Sequence, residues 1–282
     1  MHYFEFAEKD ATLYEASSSL NSGLDEILEV RKDVSDTGTT VDVSRILIKF
    51  DLTYISQSVS SGLIKNPKYY LNLFDAKPTE LITSQSLYAY PVSGSWTMGD
   101  GRSYDNPITT DGCSWTFRDG KLDGKLWSKV SASGGNWHTG SGFEASHSFG
   151  HRTHDMRMNV THIVDKWLTS TVPNDGFIVK RSGSVGNEDS NVEEGNTTRF
   201  GNFSFFSSDT HTKYPPTLEV EWDDSVWNTG SLDPLGKTEI EDMVVYMKGL
   251  RPEYNEKSKA KFRLVGRARF PERTFSTTPD NL

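Results

Sequence analysis

The dominant pattern along the chain is an alternation of apolar and polar residues, which predicts β-strands. The segment VDVSRILIKFDL places Ile46, Ile48 and Phe50 on one parity, and Arg45 on the other together with Leu47. The segment TLEVEW alternates more regularly still. Because successive side chains of a strand point to opposite faces, each segment is predicted to bury one face.

Similar runs recur between turn-rich segments over most of the chain. They are LDEILEVRKDV, KYYLNLFDA, QSLYAYPV, HDMRMNV, GFIVKRS and GNFSFFSS. About nine or ten short strands with long connections predict an all-β fold, an antiparallel β-sandwich. The sandwich is expected to cover residues 1–224, since the last regular strand ends near Asp224.

The chain beyond the sandwich is predicted to be a linker followed by a short β-rich extension. Residues 225–237 (SVWNTGSLDPLGK) have linker composition, and residues 238–282 contain two further strand-like runs. Two strands bury little surface by themselves. The extension is therefore expected to pack on the sandwich, to dock on another subunit, or to open a second domain.

One segment changes period and predicts a single short helix. Ile163, Val164, Trp167 and Leu168 lie on one helical face, and Thr161 or Asn159 is placed to cap its start. Trp167 is expected to fill the core.

Composition and charge exclude several classes of protein. Cys113 is the only cysteine, so an internal disulfide and a cysteine-based zinc site are excluded, and the thiol is expected to be buried and inert. The start of the chain has no basic and apolar signal-peptide pattern, and no apolar run reaches membrane-span length. The sequence thus predicts a protein without a membrane segment, made in a reducing compartment.

The net charge is unevenly distributed. Residues 248–282 carry nine Lys/Arg against four Asp/Glu, a net of +5, whereas the rest of the chain has a net of −14. The acidic body argues against nucleic-acid binding. The basic tail suggests an acidic protein surface as its neighbour, although a simply solvated tail is the equal alternative.

Histidines gather in residues 146–168, but they do not predict a metal site. His147, His151 and His154 would share one face of a helix, yet Gly150 and the surrounding serines disfavour a helix there. On a strand the three side chains point to opposite faces, so no metal and no cofactor are expected.

Catalytic patterns are weak, and no enzyme is predicted. There is no G-x-S-x-G motif, and Glu144 and Asp155 are not set apart as a glycosidase pair from the other acidic residues. The acidic segment 186–196 lacks calcium-loop spacing and is expected to be a solvated loop.

Four tryptophans lie in the Gly/Ser-rich stretch 94–142 and have two open interpretations. Trp96, Trp115, Trp127 and Trp137 either stack on sugars or proteins from exposed loops, or hold a long loop on the sandwich. Trp96 and Trp137 are the candidate sugar platforms.

The order of the motifs resembles the DNRLRE family, also called disaggregatase-related repeats, over about residues 8–223. The matching features are SRILIKFDL at Ser44–Leu52, VTHIVDKW at Val160–Trp167, NDGF at Asn174–Phe177 and the final strand within Ser207–Val220. The resemblance implies a jelly-roll sandwich like those of carbohydrate-binding modules, and a binding role without a catalytic set.

The inserts are similar to virion structural proteins of marine contractile-tailed phages that infect cyanobacteria. The similar segments are WTMGDGRSYDNPITTDGCSWTFRDG, YPPTLEVEWDDSVWNTGSL and the stretch from VVYMKGL to the C-terminal FSTT. This implies a non-enzymatic component of the tail, neck or baseplate, present in several copies and assembled in the host cytoplasm. Its extension is expected to dock on other virion proteins through Arg251, Arg263, Arg267 and Arg269. Recognition of host surface glycans is the alternative function.

Overall fold

The computed structural model describes residues 1–34, 41–77, 85–120, 124–127, 134–150, 155–183, 193–195, 197–223 and 243–268. The chain divides into two compact units, Met1–Ser225 and Val226–Leu282, and each is described by itself. The predicted linker 225–237 and Arg269 lie outside the described residues.

The first unit is built mainly from β-strands, and the predicted all-β antiparallel class is confirmed. Its strands are β1 (His2–Tyr14), β2 (Ile27–Val34), β3 (Val41–Phe50), β4 (Lys68–Leu73), β5 (Gln85–Pro91), β6 (Phe117–Asp119), β7 (Lys125–Leu126), β8 (Ala145–Phe149), β9 (Met156–Asn159), β10 (Phe177–Lys180), β11 (Gly201–Phe206) and β12 (Thr217–Glu221). Its helices are α1 (Thr53–Ser60) and α2 (Thr161–Leu168).

Strand β1 is shared between the two layers of the sandwich. Residues His2–Phe6 pair with β12, and residues Ala7–Tyr14 pair with β3 after a bulge between Ala7 and Lys9. The main strand order is β8-β5-β10-β3-β1-β12-β4-β9, with β2 beside β3 and β11 beside β2. The bulge lets one strand turn from the first layer into the second.

The interior between the layers is filled by the side chains that the alternation predicted to be buried. Ile46, Ile48 and Phe50 of β3 are buried there, facing Leu218 and Val220 of β12. The ring of Trp167 packs edge-on against Phe177, with centroids 4.6 Å apart. The prediction that Trp167 fills the core is confirmed.

A second apolar core lies on the outer face of β3 and β10. Leu47 and Ile178 are buried there beneath Trp96, Trp115 and Trp127. The described parts of residues 93–144 therefore cover a sheet face that would otherwise be exposed to water. Because this face is covered, β3 has the apolar residue Leu47 among the polar residues of its outward parity. For the same reason all four residues of β10 are buried.

Both helices begin in the same way. A side-chain oxygen accepts a hydrogen bond from the backbone N–H two residues later. Asn159 Oδ1 accepts the N–H of Thr161 at the start of α2, at 3.1 Å. Asp51 Oδ1 accepts the N–H of Thr53 at the start of α1, at 2.9 Å. Such bonds satisfy a donor that has no partner within the helix. Helix α2 is the predicted helix, whereas α1 was not predicted, so the expectation of one helix is wrong.

Four strands of the first unit, β1, β6, β7 and β8, were also missed by the alternation. Strand β1 begins with HYFEF, in which apolar side chains occupy both parities, and β8 (ASHSF) is short and rich in serine. The described part of the second unit is a hairpin of β13 (Met243–Lys248) and β14 (Arg263–Ala268), in agreement with the two predicted strands of the extension.

Candidate functional site

Three of the four tryptophans in residues 94–142 are buried and hold this stretch on the sandwich. Trp96, Trp115 and Trp127 are 4%, 5% and 4% exposed. The Trp96 indole N–H donates to the backbone oxygen of Asp175 at 2.8 Å, and Lys9 Nζ lies 4.2 Å from the ring centroid. The expectation that Trp96 offers an exposed stacking face is therefore wrong, because both the apolar ring and its polar N–H are already satisfied inside the protein.

Trp137 is different, because its ring is half-buried at the surface. It lines a shallow depression of about 420 Å³ together with Ser93, Asn136 and Thr139. Its neighbour Tyr90 lies at a centroid distance of 6.1 Å. An accessible aromatic ring beside hydroxyl and amide groups is an arrangement that suits a sugar ring.

Two cationic side chains lie beside the Trp137 ring, between the ring and the sheet. Lys180 Nζ is 5.0 Å and Arg45 Cζ is 5.1 Å from the centroid of the Trp137 ring. Arg45 Cζ also lies 4.7 Å from the centroid of Trp115. Both cations thus contact aromatic faces, which stabilises a guanidinium or ammonium removed from water.

The carboxylate of Glu194 pairs with both of these cations. Its oxygens accept from Arg45 Nε at 3.1 Å and Nη2 at 2.7 Å, and Lys180 Nζ lies 3.2 Å away. The side chain of Glu194 is fully buried. Burial lowers the pKa of Lys180 to about 8, against the opposing effect of Glu194. We call Arg45, Lys180 and Glu194 the buried ion cluster.

The prediction of a solvated acidic loop at residues 186–196 is wrong at Glu194. Of this segment only residues 193–195 are described, and they fold over the sheet with the Glu194 N–H donating to Ser182 O at 3.0 Å. Within these described residues the acidic side chains face the cations Arg45, Lys180 and Arg181. Burial of the cations on β3 and β10 accounts for the position of the carboxylate.

A second polar network covers the outer face of β12, β4 and β9. Glu219 accepts from Arg157 at 2.8 Å and from Asn72 at 3.2 Å, and His2 Nδ1 lies 2.8 Å from its other oxygen. These hydrogen bonds, that of Arg157 first, lower the pKa of Glu219 to about 2. The guanidinium of Arg157 also stacks 3.5 Å from the ring centroid of Tyr70.

This network also brings possible metal ligands together. One ligand atom each of His2, Glu219 and Glu221 lies within 4.8 Å of the others. However, Arg157 bonds to both carboxylates, at 2.8 Å and 3.0 Å. A divalent cation would have to displace this guanidinium. The two carboxylates are therefore arranged to bind arginine.

The remaining candidate residues from the sequence do not form one site among the described residues. His147 lies on β8 against the ring of Phe149, with its pKa lowered by burial; His151 and His154 lie outside the described residues. Glu144 accepts from the hydroxyl of Tyr90, and Asp155 accepts from the backbone N–H of Asp75. Cys113 is buried, as predicted, but in a segment without strand structure. Burial raises the pKa of its thiol to about 12.

An apolar groove of about 390 Å³ lies between α1 and the beginning of β1. Its walls include Tyr3, Tyr54, Leu63, Ile64 and Trp222. Tyr54 and Leu63 are 72% and 76% exposed. A cluster of large exposed apolar side chains marks a surface for interaction.

The hairpin of the second unit has two chemically different faces. Its register places Val245, Met247 and Leu264 on one face, which we call the apolar hairpin face. These three side chains are 58%, 46% and 71% exposed.

The other face of the hairpin carries the predicted docking arginines. Arg263 lies opposite Lys248, and Arg267 lies opposite Val244, so the register brings both arginines to the same face. Both are exposed, as is Arg251 in the connecting turn. We call Lys248, Arg263 and Arg267 the basic hairpin face.

No protein-family model matches this chain, and no curated protein matches it in sequence. In the described residues neither helix has the length and apolar character needed to cross a membrane.

Proposed function

We propose that this protein is a non-enzymatic structural component of a tailed-phage virion. In this proposal the sandwich is the bracing or displayed module, and the extension joins it to a neighbouring virion protein of the tail, neck or baseplate. The phage setting comes from the sequence resemblance described above. The observation that carries the assembly role is the β13–β14 hairpin.

The hairpin supports this role because it exposes apolar side chains to water. Such exposure gives an isolated hairpin no stability. Two strands in water are marginally stable, and they become stable when one face packs on another surface. The apolar hairpin face has side chains that are about half exposed or more within the described residues of its unit. Covering this face with a partner removes that surface from water.

The partner's chemistry follows from the second face. Lys248, Arg263 and Arg267 give this second face a positive charge, and they share it with Val244, Tyr246 and Val265. Charge complementarity favours a partner that brings Asp or Glu to this face in addition to the apolar patch that covers the other face.

Deletion of residues 238–282 tests the proposal. We expect the sandwich to stay folded, since both of its cores lie within the first unit. Particles assembled with the truncated chain are expected to lack it, as measured by immunoblotting of purified virions. Normal incorporation of the truncated chain would contradict the docking role.

Point variants separate the two faces of the hairpin. Met247→Glu with Leu264→Glu places charge on the apolar hairpin face and is expected to abolish incorporation. Arg263→Glu with Arg267→Glu is expected to weaken it in a salt-dependent manner. Lys213→Glu on the first unit is the matched charge control and is expected to leave incorporation unchanged.

Recognition of host surface glycans is the second candidate, and Trp137 is the observation that favours it. Its ring is the one of the four tryptophans that remains partly exposed, and polar groups surround it. Trp137→Ala is expected to abolish binding to a glycan array, whereas Trp137→Phe keeps an aromatic face for Lys180 and Arg45 and retains weaker binding. If the unaltered protein binds no polysaccharide, this candidate is rejected.

A further inference from the structure

The beginning of β1 is a sheet edge among the described residues. His2–Phe6 pair with β12 on one side. On the other side β1 is next to β3 only from Ala7 onward, because β3 ends at Phe50 and the chain turns into α1. The side of His2–Phe6 that faces away from β12 has no described strand beside it.

The hydrogen bonds show which backbone groups point to this open side. Met1 N donates to Trp222 O at 2.7 Å, Trp222 N donates to Met1 O at 3.1 Å, and Ala7 N donates to Pro216 O at 3.2 Å. The odd-numbered residues therefore bond to β12. In an antiparallel pair the groups of alternate residues point away from the partner. The N–H and C=O groups of His2, Phe4 and Phe6 are thus directed to the open side.

The side chains of this edge are aromatic. Phe4 and Phe6 are 48% and 58% exposed on the outer face of the sheet. Natural edge strands are usually protected from pairing by lysine, proline or a bulge. The sequence His2–Phe6 (HYFEF) contains neither lysine nor proline, and the bulge comes only after it. This edge is chemically suited to accept another strand.

We propose that the strand it accepts is the same edge of a second copy of this chain, paired antiparallel about a two-fold axis at Phe4. This register places Phe4 opposite Phe4 and His2 opposite Phe6, all in hydrogen-bonded positions. It gives three aromatic pairs on one face of the joined sheet. A two-fold interface requires a surface that is complementary to itself, and this edge meets that requirement.

Charge selects this register over its neighbours. With the axis at Phe4, each Glu5 lies opposite Tyr3 of the other copy. The Tyr3 hydroxyl already donates to Glu5 Oε2 within one chain, at 2.7 Å, so phenol and carboxylate are compatible neighbours here. An axis at Glu5 sets two carboxylates directly opposite each other, which is destabilising. An axis at Tyr3 pairs only His2–Phe4 of this edge, so fewer of its aromatic side chains meet.

Sedimentation of the full chain over a range of about 1 to 100 µM tests the pairing, since a contact of this size is expected to have micromolar affinity. We expect a monomer–dimer equilibrium whose dissociation constant rises about tenfold or more in Phe4→Lys, because two like charges then oppose each other. Tyr104→Lys, at an exposed aromatic away from the edge, is the matched control. A monomer at every concentration, or a dimer that Phe4→Lys leaves unchanged, overturns the proposal.

Cysteine cross-linking tests the register without relying on affinity. Cys113 is buried and does not compete. Phe4→Cys is expected to form a disulfide-linked homodimer on mild oxidation, and an equal mixture of His2→Cys and Phe6→Cys is expected to form the heterodimer. Absence of the Phe4→Cys homodimer, or equally efficient self-linking of Phe6→Cys, rules out the axis at Phe4.

Discussion

Replacing Glu194 with glutamine is expected to lower the free energy of unfolding by about 3–5 kcal/mol, because the change removes a negative charge that two buried cations share. Glu194 bonds to Arg45 through both oxygens and lies 3.2 Å from Lys180 Nζ. The side chains of Arg45 and Lys180 are each 1% exposed. The other described partners of these two side chains are carbonyl oxygens and aromatic faces, which carry no negative charge. Chemical denaturation of the two proteins at pH 7 measures the difference.

Glu193 provides the matched control for this prediction. Its carboxylate is 3.4 Å from Arg181 and is partly exposed. Arg181 also donates to Gln85 and to the backbone oxygens of Phe200 and Gly201. Glu193→Gln is therefore expected to cost about 1 kcal/mol or less. Equal costs for the two variants would contradict the assignment of the counter-ion role to Glu194.

Replacing Asn21 with alanine is expected to lower the free energy of unfolding by about 3 kcal/mol or more, since it leaves several buried polar groups without partners. The Asn21 amide donates to Met98 O at 2.7 Å and to Cys113 O at 2.8 Å. Its oxygen accepts from Gly101 N at 2.8 Å and from Gly23 N at 3.2 Å. One fully buried side chain thus joins residues 98–113 to the turn after β1.

Limited proteolysis of Asn21→Ala identifies where the stability is lost. We expect cleavage within residues 93–144 before the sandwich unfolds, because the bonds to Met98, Gly101 and Cys113 are the ones removed. Ser17→Ala, an exposed change in the same turn, is expected to cost less than about 0.5 kcal/mol and to leave the cleavage pattern unchanged. Uniform loss of the whole unit, without early cleavage in this stretch, would show that Asn21 does not hold the stretch separately.

Alternation predicted strands whose apolar residues share one parity. On β3 the inward parity of Ile46 and Ile48 was clear from the sequence, and α2 was recognisable from the spacing of Val164 and Trp167. The helix α1 was missed because TYISQSVS contains β-branched residues and mostly polar ones, with little helical signal. Tertiary contact of Ile55 with the core, together with Asp51 at its start, stabilises it.

The second core explains most of what the sequence did not predict in the candidate site. A stretch covering the outer face of β3 turns Leu47 and Arg45 from surface positions into buried ones. This stretch depends on close approaches such as that of Gly99, where an added Cβ would lie 2.4 Å from Asn21 Oδ1. Contacts between residues this far apart leave no periodic pattern, so the sequence left the position of Trp96 open and predicted that Glu194 was solvated.

The pairing of β1 with β12 has a consequence for synthesis of the chain. Met1 and Trp222, whose backbones bond to each other, are 221 positions apart. At roughly 5–20 residues per second, the ribosome takes roughly 10–45 seconds to make the strand that β1 pairs with. During this time the aromatic segment HYFEF has neither of its edges covered. Nascent chains on one polysome are therefore exposed to premature association, and a chaperone that binds short aromatic segments would act first on HYFEF.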